Sequence, residues 1–196
     1  MKLKALFSLG FLTAVIAVPA AADQTFYQAS LDGFSEAPFN ASPGTGMIMV
    51  GIDSDLRTMH IHESFSGLMA DTTVSHIHCC TTAPHSGNAG VATAIPTLPD
   101  FPSGVRAGVY DHTFDMKDAS NYNPAFIAAN GNNVDGAFSA LLTGLNTGGA
   151  YSNIHSTTFP MGEIRGFLAP VPEPETYAML LAGLAIIGTV ARRRRA

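Results

Sequence analysis

The sequence has no tryptophan, only two cysteines and only 13% charged residues. Each shortage excludes something. Low charge beside 46% hydrophobic residues is the wrong composition for a disordered chain. Two cysteines permit at most one disulfide. The missing tryptophan weakens a polysaccharide-binding reading, which leaves Tyr27, Tyr110, Tyr122 and Tyr151 as the available aromatic platforms. Basic residues are scarce, and an acidic chain of net charge −5 lacks the Lys and Arg that sequence-independent nucleic-acid binding needs. No repeat of 20–50 residues occurs, nor any Walker A, GxSxG, HExxH or GxGxxG pattern. Asn40-Ala41-Ser42 matches the N-x-[ST] pattern by chance.

What is present falls into three pieces. The 196 residues suit one domain plus extensions, and nineteen glycines with twelve prolines imply short elements joined by turns. Six of the ten basic residues sit at the ends: Lys2, Lys4 and Arg192 to Arg195. Residues 23–170 hold four basic and thirteen acidic residues, a net −9.

Residues 1–22 carry Lys2 and Lys4, an uncharged apolar run over 6–18, and Ala20-Ala21-Ala22 before Asp23. That order is a cleaved secretory signal, and the run is short for a membrane span of about 20 residues. Residues 171–196 begin with Val171-Pro172-Glu173-Pro174, an extended spacer. Fifteen uncharged, mostly apolar residues follow, 177–191. They are apolar on every face, which suits a short membrane helix better than an amphipathic one. Tyr177 suits the interface, and Arg192, Arg193, Arg194 and Arg195 would stop the chain on the cytoplasmic side.

The body, 23–170, reads as strands. Alternating segments at 26–31, 46–52, 57–65, 74–79, 104–114, 152–155 and 162–168 are separated by turn signals. Residues 123–130 and 134–145 have helical spacing, and 81–102 reads as a long loop. Many short strands with short connections favour an all-β antiparallel sandwich with one or two short helices.

Chemistry is suggested chiefly by histidine. His60-Ile61-His62 and His76-Ile77-His78 each lie in a predicted strand, where i and i+2 share a face. The histidines therefore project together, with Ile61 and Ile77 turned to the core, and Asn153-Ile154-His155 has the same local parity. His60, His62, His76, His78 and His155 are the candidate ligands for Zn or Cu, which neutral imidazole suits. The alternative is a hydrogen-bonded polar patch. His85 and His112 stand alone as loop or surface residues. Cys79-Cys80 follows His78 directly, and export permits oxidation. The two thiols can form a vicinal disulfide, stay free, or bind metal, with Cys80 sharing the parity of His76 and His78.

Two stretches resemble known families. The tail resembles a PEP-CTERM sorting signal, in which Pro172, Glu173 and Pro174, a short apolar span and a terminal basic cluster occur in fixed order. The resemblance implies recognition by an exosortase, a membrane transpeptidase-like enzyme of Gram-negative bacteria that make exopolysaccharide. It implies a passage through the membrane and a final place in the envelope, surface or matrix. The body resembles a CHRD domain. The carrying residues are Leu31-Asp32-Gly33 with Glu36-Ala37-Pro38, then Ser75-His76-Ile77-His78, Asn153-Ile154-His155 and Pro160-Met161-Gly162-Glu163-Ile164-Arg165-Gly166. The family implies an immunoglobulin-like sandwich with no established catalytic activity. Cys79-Cys80 and the long 81–102 segment depart from its common form. The expected role is a structural or binding module, with exopolysaccharide or another matrix component as partner; the alternative is a dismutase-like metalloenzyme.

Overall fold

A computed structural model describes residues 24–172 and positions 181, 183–185, 187, 192 and 193 of the tail. The proposed leader at 1–22, Glu173, Pro174, Arg194 and Arg195 lie outside the described residues.

The body is all-β. Its strands are β1 Gln24–Asp32, β2 Thr45–Asp53, β3 Thr58–Ser66, β4 Thr72–His78, β5 Gly108–Asp115, β6 Tyr151–Ser156, β7 Ile164–Phe167 and β8 Ala169–Pro170. Between β5 and β6 stand a short 3-10 turn, Ala119–Asn121, and the helices α1 Pro124–Ala129 and α2 Val134–Thr147. Hydrogen bonds join the strands in the order β4-β6-β7-β1-β2-β3-β5, with β8 on β1, and every pairing is antiparallel. The sequence expectation was a sandwich; the strands form one curled sheet.

The curl follows from the alternation of side chains. In β3, Met59, Ile61, Glu63 and Phe65 are buried while His60 and His62 face outward. Glu63 is fully buried and receives hydrogen bonds from Ser75 of β4 at 3.1 Å and Ser152 of β6 at 2.7 Å. Those strands lie far from β3 along the sheet, so its two halves face each other across the core. Tyr27, Ile48, Val50, Ile61, Ile77, Ile154 and Ile164 fill the space between them, each worth about 1.5–3 kcal/mol of apolar burial.

The helices close one end. Asn123 and Asn133 cap their first turns through side-chain oxygens, and Pro124 starts α1 where no amide donor is needed. Gly148 ends α2 in the left-handed conformation, at φ 71°. Phe138, Leu141 and Leu145 of α2 join the core. The described tail positions are helical. Among the described residues no helix is long and apolar enough to cross a membrane.

Candidate metal centre

Two neighbouring strands and two loops build the site. His76 and His78 lie two residues apart on β4 and leave the sheet on one side. Across the antiparallel pair His78 faces Tyr151, His76 faces Asn153 and Val74 faces His155, in one unbroken register that shifts only beyond Val74, toward Thr72. Opposite residues in such a pair point the same way. The rings of His78 and Tyr151 accordingly stack, with centroids 4.8 Å apart. Those of His76 and His155 meet edge to face at 5.6 Å.

One nitrogen of each ring is held by backbone. His76 Nε2 bonds Pro96 O at 2.8 Å and His78 Nδ1 bonds Ala89 O at 2.9 Å. His155 Nδ1 bonds Pro160 O at 2.9 Å. A carbonyl oxygen only accepts, so each of these nitrogens carries the ring proton. The other nitrogen of a neutral ring then keeps its lone pair. Those others are His76 Nδ1, His78 Nε2 and His155 Nε2, and all three are buried without a hydrogen-bond partner. One ligating nitrogen from each ring lies within 4.8 Å of the other two.

An unpaired buried polar atom costs about 1–3 kcal/mol. A water here could donate to only two of three lone pairs. A metal cation accepts all three. Nitrogens at 2.0–2.1 Å from one Zn2+ stand roughly 3.4 Å apart, so binding would draw the rings together by about an ångström. Burial holds all three imidazoles below their ordinary range, His78 down to about 4. They are therefore neutral at neutral pH, the form a metal needs.

The other expected ligands stand elsewhere. β3 meets β4 across the core through Glu63 and Ser75, whereas His60 and His62 face outward, so the two H-x-H pairs do not converge. His60 Nε2 and His62 Nδ1 instead share the carboxylate of Asp111 on β5, at 3.1 and 2.8 Å, on an exposed face. Cys80 does not join His76 and His78 either, because β4 ends at His78 and strand parity ends with it. Cys79 and Cys80 are bonded to each other, and both sulfurs face Ala140 O of α2. His85 is exposed beside Gly148, and His112 stands between Tyr110 and Phe114 on β5.

The four tyrosines are not sugar platforms. All are at least 97% buried, because each fills core or loop packing. Their hydroxyls bond Asn146, Pro99, Met116 and Ala89 respectively. Asn40 is equally occupied: its amide donates to Gly162 O and Glu163 O.

Sequence reasoning missed a polar group beside the histidines. Glu36 is buried and accepts from Asn153 Nδ2 at 2.7 Å. Burial raises its carboxyl to about 7, against the nearby Arg165 charge. Arg165 lies over the rings of Tyr151 and Phe167 and donates to Ser35 O, Gly87 O and Asn88 Oδ1. Glu36, Asn153 and Arg165 fall in the same CHRD-like stretches as His76, His78 and His155, and that is the signal that could have found them.

Residues 27–168 match the CHRD domain, and residues 170–195 match the PEP-CTERM protein-sorting motif. The chain belongs to the CHRD domain family. Neither the curated proteins nor the solved structures contain a match. The PEP-CTERM motif is the C-terminal signal for exosortase-dependent sorting to the cell envelope or surface of Gram-negative bacteria, so the CHRD body is an exported one. The CHRD and PEP-CTERM families are not known enzymes.

Proposed function

We propose that this chain is a surface-sorted binding module, not an enzyme, whose body at 23–170 holds Zn2+ or Cu2+ through His76, His78 and His155. The supporting observation is twofold: three histidines each bring a ring nitrogen within 4.8 Å of the others, and the same three rings each keep one buried nitrogen with a lone pair and no partner. All-imidazole donors suit Zn and Cu, whereas Mg2+ and Ca2+ require oxygen ligands. Backbone carbonyls on the outer nitrogens orient the rings, as second-shell partners do in metal sites. Residues 1–22 would be removed on export. The 171–196 tail would hold the chain in the membrane until exosortase acts at Pro172, Glu173 and Pro174, with Arg192 to Arg195 inside.

The test is metal content. The secreted protein, stripped with a chelator and incubated with Zn2+ or Cu2+, takes up about one ion per chain. His155→Ala, folded by circular dichroism, takes up none. A folded wild-type body without stoichiometric metal contradicts the reading. Processing is tested separately, by replacing Pro172, Glu173 and Pro174 with alanine in a strain carrying the sorting enzyme. The mature mass then keeps the tail; an unchanged mature mass contradicts the role of the motif.

A further inference from the structure

Three nitrogens leave a four-coordinate ion one position short. Among the described residues no fourth His, Cys, Asp or Glu joins the group, and both cysteine sulfurs are tied to each other. Asn153 shares the strand face of the three histidines. It is opposite His76 across the β4–β6 pair, two residues before His155, and only 3% exposed.

The amide of Asn153 is half used. Its Nδ2 donates to Glu36 Oε1 at 2.7 Å, while its Oδ1 is buried with no partner. The bond to Glu36 turns the amide so that Oδ1 faces away from the carboxyl. Gly162 keeps room for that pair, since a Cβ there would lie 2.5 Å from both Asn153 Nδ2 and Glu36 Oε1. The histidines cannot satisfy Oδ1, because their only N–H groups are spent on Pro96, Ala89 and Pro160. A fourth orphaned polar atom, an acceptor, thus belongs to a residue on the strand face that carries the three histidines. One small ligand completes both: an oxygen with a lone pair for the metal and a proton for Asn153.

We propose that the fourth coordination position takes an exchangeable hydroxyl-bearing ligand, water in the resting protein, whose O–H donates a hydrogen bond to Asn153 Oδ1. This rests on the three-histidine metal reading. It makes the centre an open one that discriminates by proton: water and alcohols fit, while azide and halides, which carry none, leave Oδ1 unpaired. Asn153 is a positioning residue that selects the ligand and does not bind the metal.

The test uses the full secreted chain loaded with Cu2+. Electron–nuclear double resonance in H2O and D2O reads the protons of a bound water, and electron paramagnetic resonance follows titration with azide. In the wild type an exchangeable water-proton coupling is expected. Asn153→Leu still binds one Cu2+, and its azide affinity rises about tenfold, the equivalent of one hydrogen bond. Asn153→Ala serves as a second variant of smaller volume, with the same expectation. Cu2+ bound without an exchangeable proton signal overturns the proposal, as does equal azide affinity in wild type and variants; both leave the three-histidine reading standing. A wild-type chain that binds no Cu2+ overturns both readings. The wild-type spectrum decides the matter even where neither variant folds.

Discussion

His60-Ile61-His62 and His76-Ile77-His78 are the same three-residue pattern in two strands, and they end in opposite circumstances. On β3 the pair faces solvent and closes on Asp111, so its hydrogen-bonding capacity is directed to a neighbouring carboxylate. On β4 the pair lies under the segment joining β4 to β5, which spends the outer ring nitrogens and shelters the inner ones from water. Strand parity makes two imidazoles neighbours; the partner strand and the covering loop decide whether they become a polar patch or a metal cradle.

The largest expected contrast is in metal binding. His76→Ala or His78→Ala should lower Zn2+ or Cu2+ affinity by about a hundredfold or more, since each removes a ligand where losing even a second-shell partner costs about 10–100-fold. His60→Ala with His62→Ala should leave affinity unchanged. Calorimetric titration reads both, and equal losses from the two pairs would erase the distinction.

Glu63 lies behind both pairs, next to His62 in sequence and bonded by Ser75 beside His76. Burial raises its carboxyl from 4.5 to about 7. A folded-state pKa above the unfolded one gives stability that is complete below pH 4.5 and lost as pH rises through 7. Glu63→Gln should remove this loss. The difference in stability between wild type and variant should change by roughly 3 kcal/mol from pH 4.5 to 8. Parallel denaturation profiles would contradict the burial of this carboxyl.

Gly144→Ala should act on one pair only. A Cβ at 144 runs into the sulfurs of Cys79 and Cys80, which follow His78 directly. Overpacking of this kind costs about 1–3 kcal/mol, and metal affinity at β4 should fall while the β3 face keeps its spectrum. An undisturbed thermal midpoint would show that α2 yields there. The smallest effect concerns Asp111, whose carboxyl is held low by hydrogen bonds to His62 and His60. In the double alanine variant its titration, followed by carbon NMR, should move up toward the ordinary carboxylate range.

Much of this was legible in the residues. Alternation located the main strands, and helical spacing located α1 and α2. The parity of Asn153-Ile154-His155 put Ile154 inside and His155 out. What stayed hidden depended on distant chain segments. Nothing local to 81–102 says that Ala89 and Pro96 turn their carbonyls onto His78 and His76. Glu63 has inward parity, but a charged residue in a strand suggests solvent until Ser75 and Ser152 are seen facing it. The neighbour of the second H-x-H strand was hidden for the same reason: local sequence does not encode that β6, not β3, lies beside β4.

The most direct test is a crystal of the full secreted chain grown with Zn2+ and measured at the zinc absorption edge. A single anomalous peak bonded to His76 Nδ1, His78 Nε2 and His155 Nε2 is the expected result. A peak at His60, His62 and Asp111 with none at β4, or no ordered zinc in a crystal saturated with it, would contradict it.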